Sequence, residues 1–293
     1  MNRVVVTDFF RSLQDSICTS LEQADGNGRF HEDIWKHESG GGGATRTIQE
    51  GGVFEKGGVS TSAVRGSLTG VLATRLEVSP QAFFAAGISL VLHPLSPMMP
   101  TVHTNFRYLE LENGDFWFGG GADLTPYYLF DEDAIHFHQT WKQACDIHDS
   151  ALYARFKAGC DEYFFLRHRG EARGIGGIFF DYLRGDFSRN FDLVKTCGNA
   201  FTKSYLPIVE RRRREPWGDR ERNWQLHRRG RYVEFNLIYD RGTLFGLETR
   251  GRVESILMSL PPLVRWTYDF RPEVGSREER LLTVLKQPRI WVE

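Results

Sequence analysis

Alternating polar and apolar residues over residues 101–108 predict a β-strand with two unlike faces. At a period of two, one face carries His103, Asn105 and Arg107. The opposite face carries Val102, Thr104, Phe106 and Tyr108. A strand that only packs has no need of an imidazole, an amide and a guanidinium together, so the polar face is the first candidate for a functional site.

Similar patterns predict several further strands. Residues 88–93 and 116–118 are mostly apolar, with Ser89 and His93 as the polar members of the first stretch, and Asn113-Gly114 is typical of a hairpin turn before the second stretch. In the last third of the chain, residues 231–239 and 243–247 flank the turn signal Asp240-Arg241-Gly242 and predict another hairpin. Consecutive strands with short connections favour an antiparallel sheet.

Helical spacing separates these strands. Residues 7–24 show it at Phe10, Leu13, Ile17 and Leu21, residues 131–169 show it with a break near Asp149, and residues 191–214 and 254–260 complete the set. The tetraglycine at 40–43 predicts a flexible loop or lid, because no Gly-Lys-Ser/Thr ending follows that would favour a phosphate cradle. We therefore predict one α+β domain over residues 1–293.

Composition narrows the function classes. Thirty-seven basic and 38 acidic residues among 293 leave a net charge of −1, which gives no overall attraction to nucleic acid. No window is apolar enough for a membrane span, and the N-terminus lacks the features of a secretory leader. Four scattered cysteines without a CxxC pair favour reduced thiols. We expect a cytoplasmic protein with no nucleic-acid partner and no membrane span.

Individual residues suggest acid–base chemistry and carboxylate recognition. His103 is the best single candidate for proton transfer near neutral pH. Asp181 follows an apolar run and would pair with a cation, although a turn or cap position explains it equally well. Guanidinium groups bind carboxylates in bidentate fashion, so Arg107 and the arginines near the C-terminal hairpin suit a polycarboxylate substrate, although the solvent-exposed face of a sheet explains any one of them as well. The arginines near the hairpin are Arg228, Arg229, Arg231, Arg241, Arg250 and Arg252.

Four histidines leave a choice between two roles. His93, His103, His138 and His168 would converge only through tertiary folding, and none of their spacings is a metal motif. Metal ligation and structural or acid–base roles therefore both stay open from the residues alone.

Several motifs give the chain its resemblance to a known family. They include PTVHTNFR at 100–107, FWFGGGADLTP at 116–126 and RGIGGIFFD at 173–181. GGGG at 40–43, GGVFE at 51–55, His93-Pro94, GRYVEFN at 230–236 and ESILMSLP at 254–261 occur in the same order. With these motifs the chain resembles the oxygen-dependent coproporphyrinogen III oxidases over nearly its whole length.

The resemblance implies a reaction and an architecture. Two of the four propionates of coproporphyrinogen III would be oxidatively decarboxylated to vinyl groups, giving protoporphyrinogen IX in haem synthesis. Dioxygen would be the co-substrate, carbon dioxide and hydrogen peroxide would be released, and no organic cofactor is expected. The implied fold is a large, mostly antiparallel sheet flanked by helices on both faces. The implied assembly is a homodimer formed through roughly residues 232–267.

The resemblance also assigns roles to single residues. His103 matches a proton donor, and Asp181 matches a carboxylate held against pyrrole nitrogens, with Tyr182 in place of a second aspartate. The positions that match substrate contacts are Ser89, Asn105, Phe106, Arg107, Arg250, Gly251 and Arg252. Relatives often carry a smaller residue at the position of Arg250. His93, His103, His138 and His168 match positions described as ligands of a divalent metal cation.

Two other functions compete with this one. A histidine-ligated metal oxygenase acting on a different polycarboxylate would depend on its metal. A porphyrin-binding carrier would keep the fold and the arginines but would show no turnover.

Overall fold

One antiparallel sheet of seven strands forms the centre of the protein, in the order β1-β2-β3-β4-β5-β6-β9. The computed structural model describes residues 2–68, 70–75, 78–248 and 252–293. The strands are β1 His31–Lys36, β2 Gly41–Gln49, β3 Phe54–Leu68, β4 Gln81–Pro94, β5 Thr101–Leu111, β6 Phe116–Thr125, β7 Phe165–Leu166, β8 Glu171–Ala172 and β9 Gly177–Leu183. The short strands β7 and β8 pair with each other in a separate ribbon.

Helices connect the strands and continue the chain beyond them. They are α1 Asn2–Asp25, α2 Gly70–Arg75, α3 Asp131–Asp146, α4 Leu152–Tyr163, α5 Phe187–Arg212, α6 Asp219–Ile238, α7 Arg241–Glu248, α8 Val253–Leu257 and α9 Arg277–Lys286. The first helix, the break near Asp149 and the short helix near residue 254 confirm the predictions from helical spacing. The α+β fold class is confirmed as well.

The two faces of the sheet differ in character because paired residues on neighbouring strands share a face. Thr61, Ile88 and Phe106 are aligned across β3, β4 and β5 and are buried against a core that includes α1, α3 and α5. We call this side the core face. Ser60, Ser89 and Asn105 are aligned on the opposite side, which we call the polar face. Residues of α6, α7 and α8 cover the polar face, so helices flank both sides.

The predicted hairpin over residues 231–247 is wrong, because this segment is helical. Residues 231–238 lie in α6 and residues 241–248 form α7. The residue types in α6 favour strands, but its buried positions follow helical spacing, with Arg229, Tyr232, Val233 and Asn236 facing inward. Burial on one helix face therefore outweighs the local β-propensity.

The prediction of a loop at the tetraglycine is also wrong, since Gly41, Gly42 and Gly43 belong to β2. Gly42 and Gly43 pair with both neighbouring strands, and Gly41 pairs with β3. A Cβ atom added to Gly42 would lie 2.2 Å from the carbonyl oxygen of Trp35. The glycines therefore permit a close approach of backbones within the sheet.

The carboxylate of Asp25 ties the end of α1 to the turn before β3. It accepts hydrogen bonds from the backbone N–H groups of Gly28 at 2.6 Å, and of Gly52, Val53 and Phe54 at 2.9 Å each. Burial opposes the charged form, but these four donors outweigh it and hold the pKa of Asp25 below its usual value.

We predict that Asp25→Asn lowers the free energy of unfolding by about 2 kcal/mol, because the amide turns an N–H group toward donors that need an acceptor. A carboxyl whose pKa is lowered on folding stabilises the protein above its unfolded pKa of about 3.9, and this contribution is lost as pH falls through the folded pKa. Urea unfolding should therefore show a difference between the two proteins that shrinks below about pH 4.

The matched control is Asp8→Asn, at an exposed position on the same helix. It should change the unfolding free energy by less than about 0.5 kcal/mol. Equal stability of Asp25→Asn and the control at pH 7 would contradict the proposed role of Asp25.

Candidate active site

A cavity of about 360 Å³ lies between the polar face and the covering helices. The sheet contributes Ser89, His103, Asn105 and Arg107, and the covering segment contributes Asn236 and Met258. The alternation predicted for β5 is confirmed, because His103, Asn105 and Arg107 are partly exposed while the residues between them are buried. We call this space the first cavity.

His103 forms a dyad with a carboxylate that is a neighbour on the sheet. Its Nδ1 lies 2.8 Å from Oδ1 of Asp123, the residue paired with it on β6. An Nδ1–H that donates to this carboxylate leaves Nε2 as an acceptor, and the amide of Asn105 donates to Nε2 at 3.2 Å. The imidazole is therefore held in one tautomer at the wall of the first cavity.

Asp123 is in turn fixed by a buried guanidinium. Arg173 donates through Nη2 to both carboxylate oxygens, at 2.7 and 2.8 Å, and both side chains are 2% exposed. Burial alone would raise the pKa of Asp123, but the charge of Arg173 and the hydrogen bond to His103 hold it below its usual value. The dyad thus retains a negative charge next to the imidazole of His103.

Aromatic rings surround the same guanidinium. The Cζ atom of Arg173 lies 4.1 Å from the centre of the Phe164 ring, 4.5 Å from that of Tyr232 and 4.7 Å from that of Phe235. Its Nη1 also donates to Oδ1 of Asn236 at 2.9 Å. These contacts compensate in part for burying the charge.

Arg107 and Asp181 meet at one end of the first cavity. Nη2 of Arg107 lies 2.9 Å from Oδ2 of Asp181, and Nη2 of Arg241 lies 3.4 Å from the same oxygen. Gly119 lies beneath the pair, where an added Cβ atom would lie 2.7 Å from both Arg107 Nε and Asp181 Oδ1. This glycine therefore makes room for the ion pair.

Asn105 carries an unused acceptor. Its Oδ1 is buried and has no hydrogen-bond partner in the described part of the chain, although its amide nitrogen is engaged with His103. A buried acceptor without a partner costs free energy. A substrate N–H or O–H group in the first cavity would satisfy it.

The side chain of Phe106, a predicted substrate contact, points away from the first cavity. It lies on the core face, is 1% exposed, and its ring packs 6.4 Å from that of Phe180. A strand turns successive side chains to opposite faces, so Phe106 borders the first cavity only through its backbone.

Arg252 is the one described residue among Arg250, Gly251 and Arg252, and it lies at the opposite end of the polar face. Arg252 precedes α8 and forms an ion pair with Asp33 of β1. Ser255 of α8 lies within hydrogen-bond distance of Thr45 of β2, with 2.8 Å between their hydroxyl oxygens. Arg250 and Gly251 are outside the described residues.

The four histidines do not gather into a metal site. His93 is buried, with Nε2 2.8 Å from the carbonyl of Ser259, and His103 engages Asp123 and Asn105. Among the residues that the structure describes, no group of three His, Cys, Asp or Glu side chains has an arrangement that would hold a metal ion. A cation held by the histidines together does not fit this geometry.

The two remaining histidines lie in separate surroundings. His138 sits in α3 with its nitrogens 2.8 Å from the Tyr153 hydroxyl and 3.1 Å from the Ile175 carbonyl. Burial and the nearby Lys157 lower its pKa to about 3. His168 lies at the surface, 2.7 Å from Glu234.

Reasoning from sequence missed Asp123 and Arg173 as site residues. A charged residue inside an apolar strand was the available signal for Asp123, because a buried carboxylate requires a partner. The position of Arg173 before a glycine-rich turn gave no comparable signal. The arginines assigned from sequence to the C-terminal hairpin have structural partners instead, since Arg228 pairs with Glu171 and Arg229 with Glu55.

No helix in the described ranges is long and apolar enough to cross a bilayer.

A family comparison agrees with this geometry. A family model described as "Coproporphyrinogen III oxidase" matches residues 5–291. The match includes the strand that carries His103, Asn105 and Arg107, as well as Asp123, Arg173 and Asp181. It confirms the resemblance seen in the motifs and makes the protein an enzyme of the oxidative decarboxylase type that acts in haem biosynthesis. The chain belongs to the coproporphyrinogen III oxidase family.

Proposed function

We propose that this protein converts two propionates of coproporphyrinogen III to vinyl groups and releases protoporphyrinogen IX. Each propionate loses carbon dioxide and two hydrogen atoms. For each propionate, one dioxygen molecule accepts the two electrons and two protons and leaves as hydrogen peroxide. Dioxygen is thus the co-substrate, and the balance requires no organic cofactor.

The observation that carries this proposal is the oriented His103 beside Arg107 in one cavity. Decarboxylation to a vinyl group requires the propionate carboxylate to be held while a hydrogen leaves the β carbon, which is the carbon attached to the pyrrole. Arg107 supplies the charge that binds a propionate. His103, with Nε2 as an acceptor, can take a proton, and Asp123 then stabilises the imidazolium.

Asp181 and Asn105 suit the ring system of the substrate. A pyrrole N–H would donate to Oδ1 of Asn105, which has no other partner in the described residues. The carboxylate of Asp181 would lie near the pyrroles and stabilise positive charge that develops on them during oxidation. Substrate carboxylates that bind to Arg107 would release Asp181 from its present ion pair.

No step in this mechanism uses a metal ion. The hydrogen bonds of His93, His103, His138 and His168 use both nitrogens of each ring. In this proposal His103 acts at the site, and the other three histidines hold neighbouring backbone and side-chain groups in place.

Two further features of the protein belong to this proposal. The four cysteines are all buried and free, which suits a reducing compartment such as the cytoplasm. We also propose a homodimer through roughly residues 232–267. Large apolar side chains are exposed in this stretch, among them Leu237, Ile238, Leu263 and Trp266.

Anaerobic incubation with coproporphyrinogen III followed by admission of air tests the activity. We expect chromatography of the oxidised porphyrins to show the two-vinyl product only after air is admitted, with and without a chelator. A product that forms under nitrogen would contradict the role of dioxygen. Tight binding without product would favour a carrier, and loss of turnover with chelator that a metal restores would contradict the metal-free mechanism.

Substitution Asp123→Asn tests the dyad. We predict that kcat falls by about a hundredfold or more, because the neutral amide no longer stabilises the imidazolium. Steady-state product formation measures kcat, and circular dichroism checks folding, since Arg173 loses its buried counter-charge.

The control for this variant is Asp115→Asn, which removes a carboxylate from an exposed ion pair with Arg184. Its kcat should stay within about twofold of the wild type. A folded Asp123→Asn protein with wild-type kcat would rule out the positioning role.

Ile238→Asp tests the proposed dimer. A charge placed in an apolar interface carries a large desolvation cost, so we predict a shift from dimer to monomer at micromolar concentration in sedimentation equilibrium. Ile135→Asp on α3 changes an exposed apolar residue outside the stretch and should leave the dimer intact. A monomeric wild type, or a dimeric Ile238→Asp variant, would contradict the proposed interface.

A further inference from the structure

A second and larger cavity, of about 810 Å³, adjoins the first. Arg155, Arg167 and Arg241 line it together with aromatic side chains. Tyr163 and Phe179 line both cavities and form the wall between them, with ring centres 4.2 Å apart and ring planes at 9°. We call this space the second cavity.

A carboxylate marks the border between the two spaces. Asp181 and Arg241 line the second cavity, whereas Arg107 lines the first, and both guanidinium groups reach Oδ2 of Asp181. A carboxylate that enters from either side can replace Asp181 on one arginine without leaving that arginine unpaired. Such an exchange keeps each arginine paired with a carboxylate while Asp181 moves away from one of them.

Two other guanidinium groups in the second cavity lack an acidic partner. Neither Arg155 nor Arg167 forms an ion pair within the described part of the chain, and both residues are exposed. Arg155 lies over the ring of Phe156, with its Cζ atom 5.1 Å from the ring centre. Glu162 is the other acidic residue in the lining besides Asp181. The cavity therefore combines unpaired positive charge with aromatic surface.

Size separates the two cavities as well. Small-molecule sites commonly measure roughly 300–1,000 Å³, and the first cavity lies near the lower limit. A macrocycle of four pyrroles with four propionates needs more room than that. The second cavity is the space that lies beyond Asp181 from His103 and Arg107, and it can hold the rest of the macrocycle.

We propose that the second cavity binds carboxylate groups of the substrate that are not reacting, through Arg155 and Arg167. This inference rests on the proposed function and deepens it. One propionate lies beside His103 and Arg107 while the distal side of the macrocycle extends past Asp181 into the second cavity. The number of carboxylates on the tetrapyrrole then contributes to its recognition.

The double variant Arg155→Gln with Arg167→Gln tests the proposal. We expect KM for coproporphyrinogen III to rise about tenfold with kcat within about twofold, because two exposed charge contacts to the bound ground state are lost. The control pair Arg11→Gln with Arg214→Gln removes the same charge at exposed positions outside the second cavity and should leave KM unchanged.

A binding measurement without turnover supplies a second readout. Fluorescence titration compares coproporphyrin III, with four carboxylates, and mesoporphyrin IX, with two. We expect the wild type to prefer the first by about tenfold and the double variant to lose this preference. A preference that persists in the double variant, or a KM equal to that of the control pair, would overturn the proposal.

The outcome for the proposed function is separate. Wild-type protein that makes no two-vinyl product would contradict the oxidase activity, and the proposal with it. Normal turnover with an unchanged porphyrin preference would overturn the second cavity's role alone.

Discussion

The buried ion pair between Asp123 and Arg173 is the interaction on which the site depends. It joins β6 to the segment before β9, and through Asn236 it reaches α6. Removing either Asp123 or Arg173 would leave the other as an uncompensated buried charge, so neither residue can be changed alone without a large cost in stability. The same pair sets the tautomer of His103. The same ion pair therefore holds these elements together and orients the candidate catalytic histidine.

Glycines in β6 make the rest of this arrangement possible. Gly119 leaves space for the ion pair of Arg107 and Asp181, and a Cβ atom added to Gly121 would lie 2.4 Å from the carbonyl oxygen of Ile178 on β9. Side chains at these positions would separate the strands or fill the site. The glycines thus lower the local strand propensity of β6, but they allow functional groups on the polar face to lie close together.

The charges of the site are arranged for exchange with a polycarboxylate. In the free protein Arg107 and Arg241 both pair with Oδ2 of Asp181. A substrate carboxylate would take the place of this oxygen on one of the two arginines. A paired arginine is available at lower desolvation cost than an isolated buried one. Asp181 and its two arginines lie between the first and the second cavity, and the proposed binding of one substrate across both cavities follows from this position.

Sequence alone determined the elements whose burial follows a simple period. The alternation in β5 placed His103, Asn105 and Arg107 on one face, and helical spacing identified α1 and the break between α3 and α4 near Asp149, because these patterns reflect which side faces the core. The motifs also identified the family.

Tertiary structure decided what local preference could not: β-prone residues near Tyr232 became part of α6 because one helix face is buried. It also decided which polar residues meet. Asp123 and Arg173 are 50 residues apart, and the four histidines lie in separate surroundings, since only the folded chain fixes such distances.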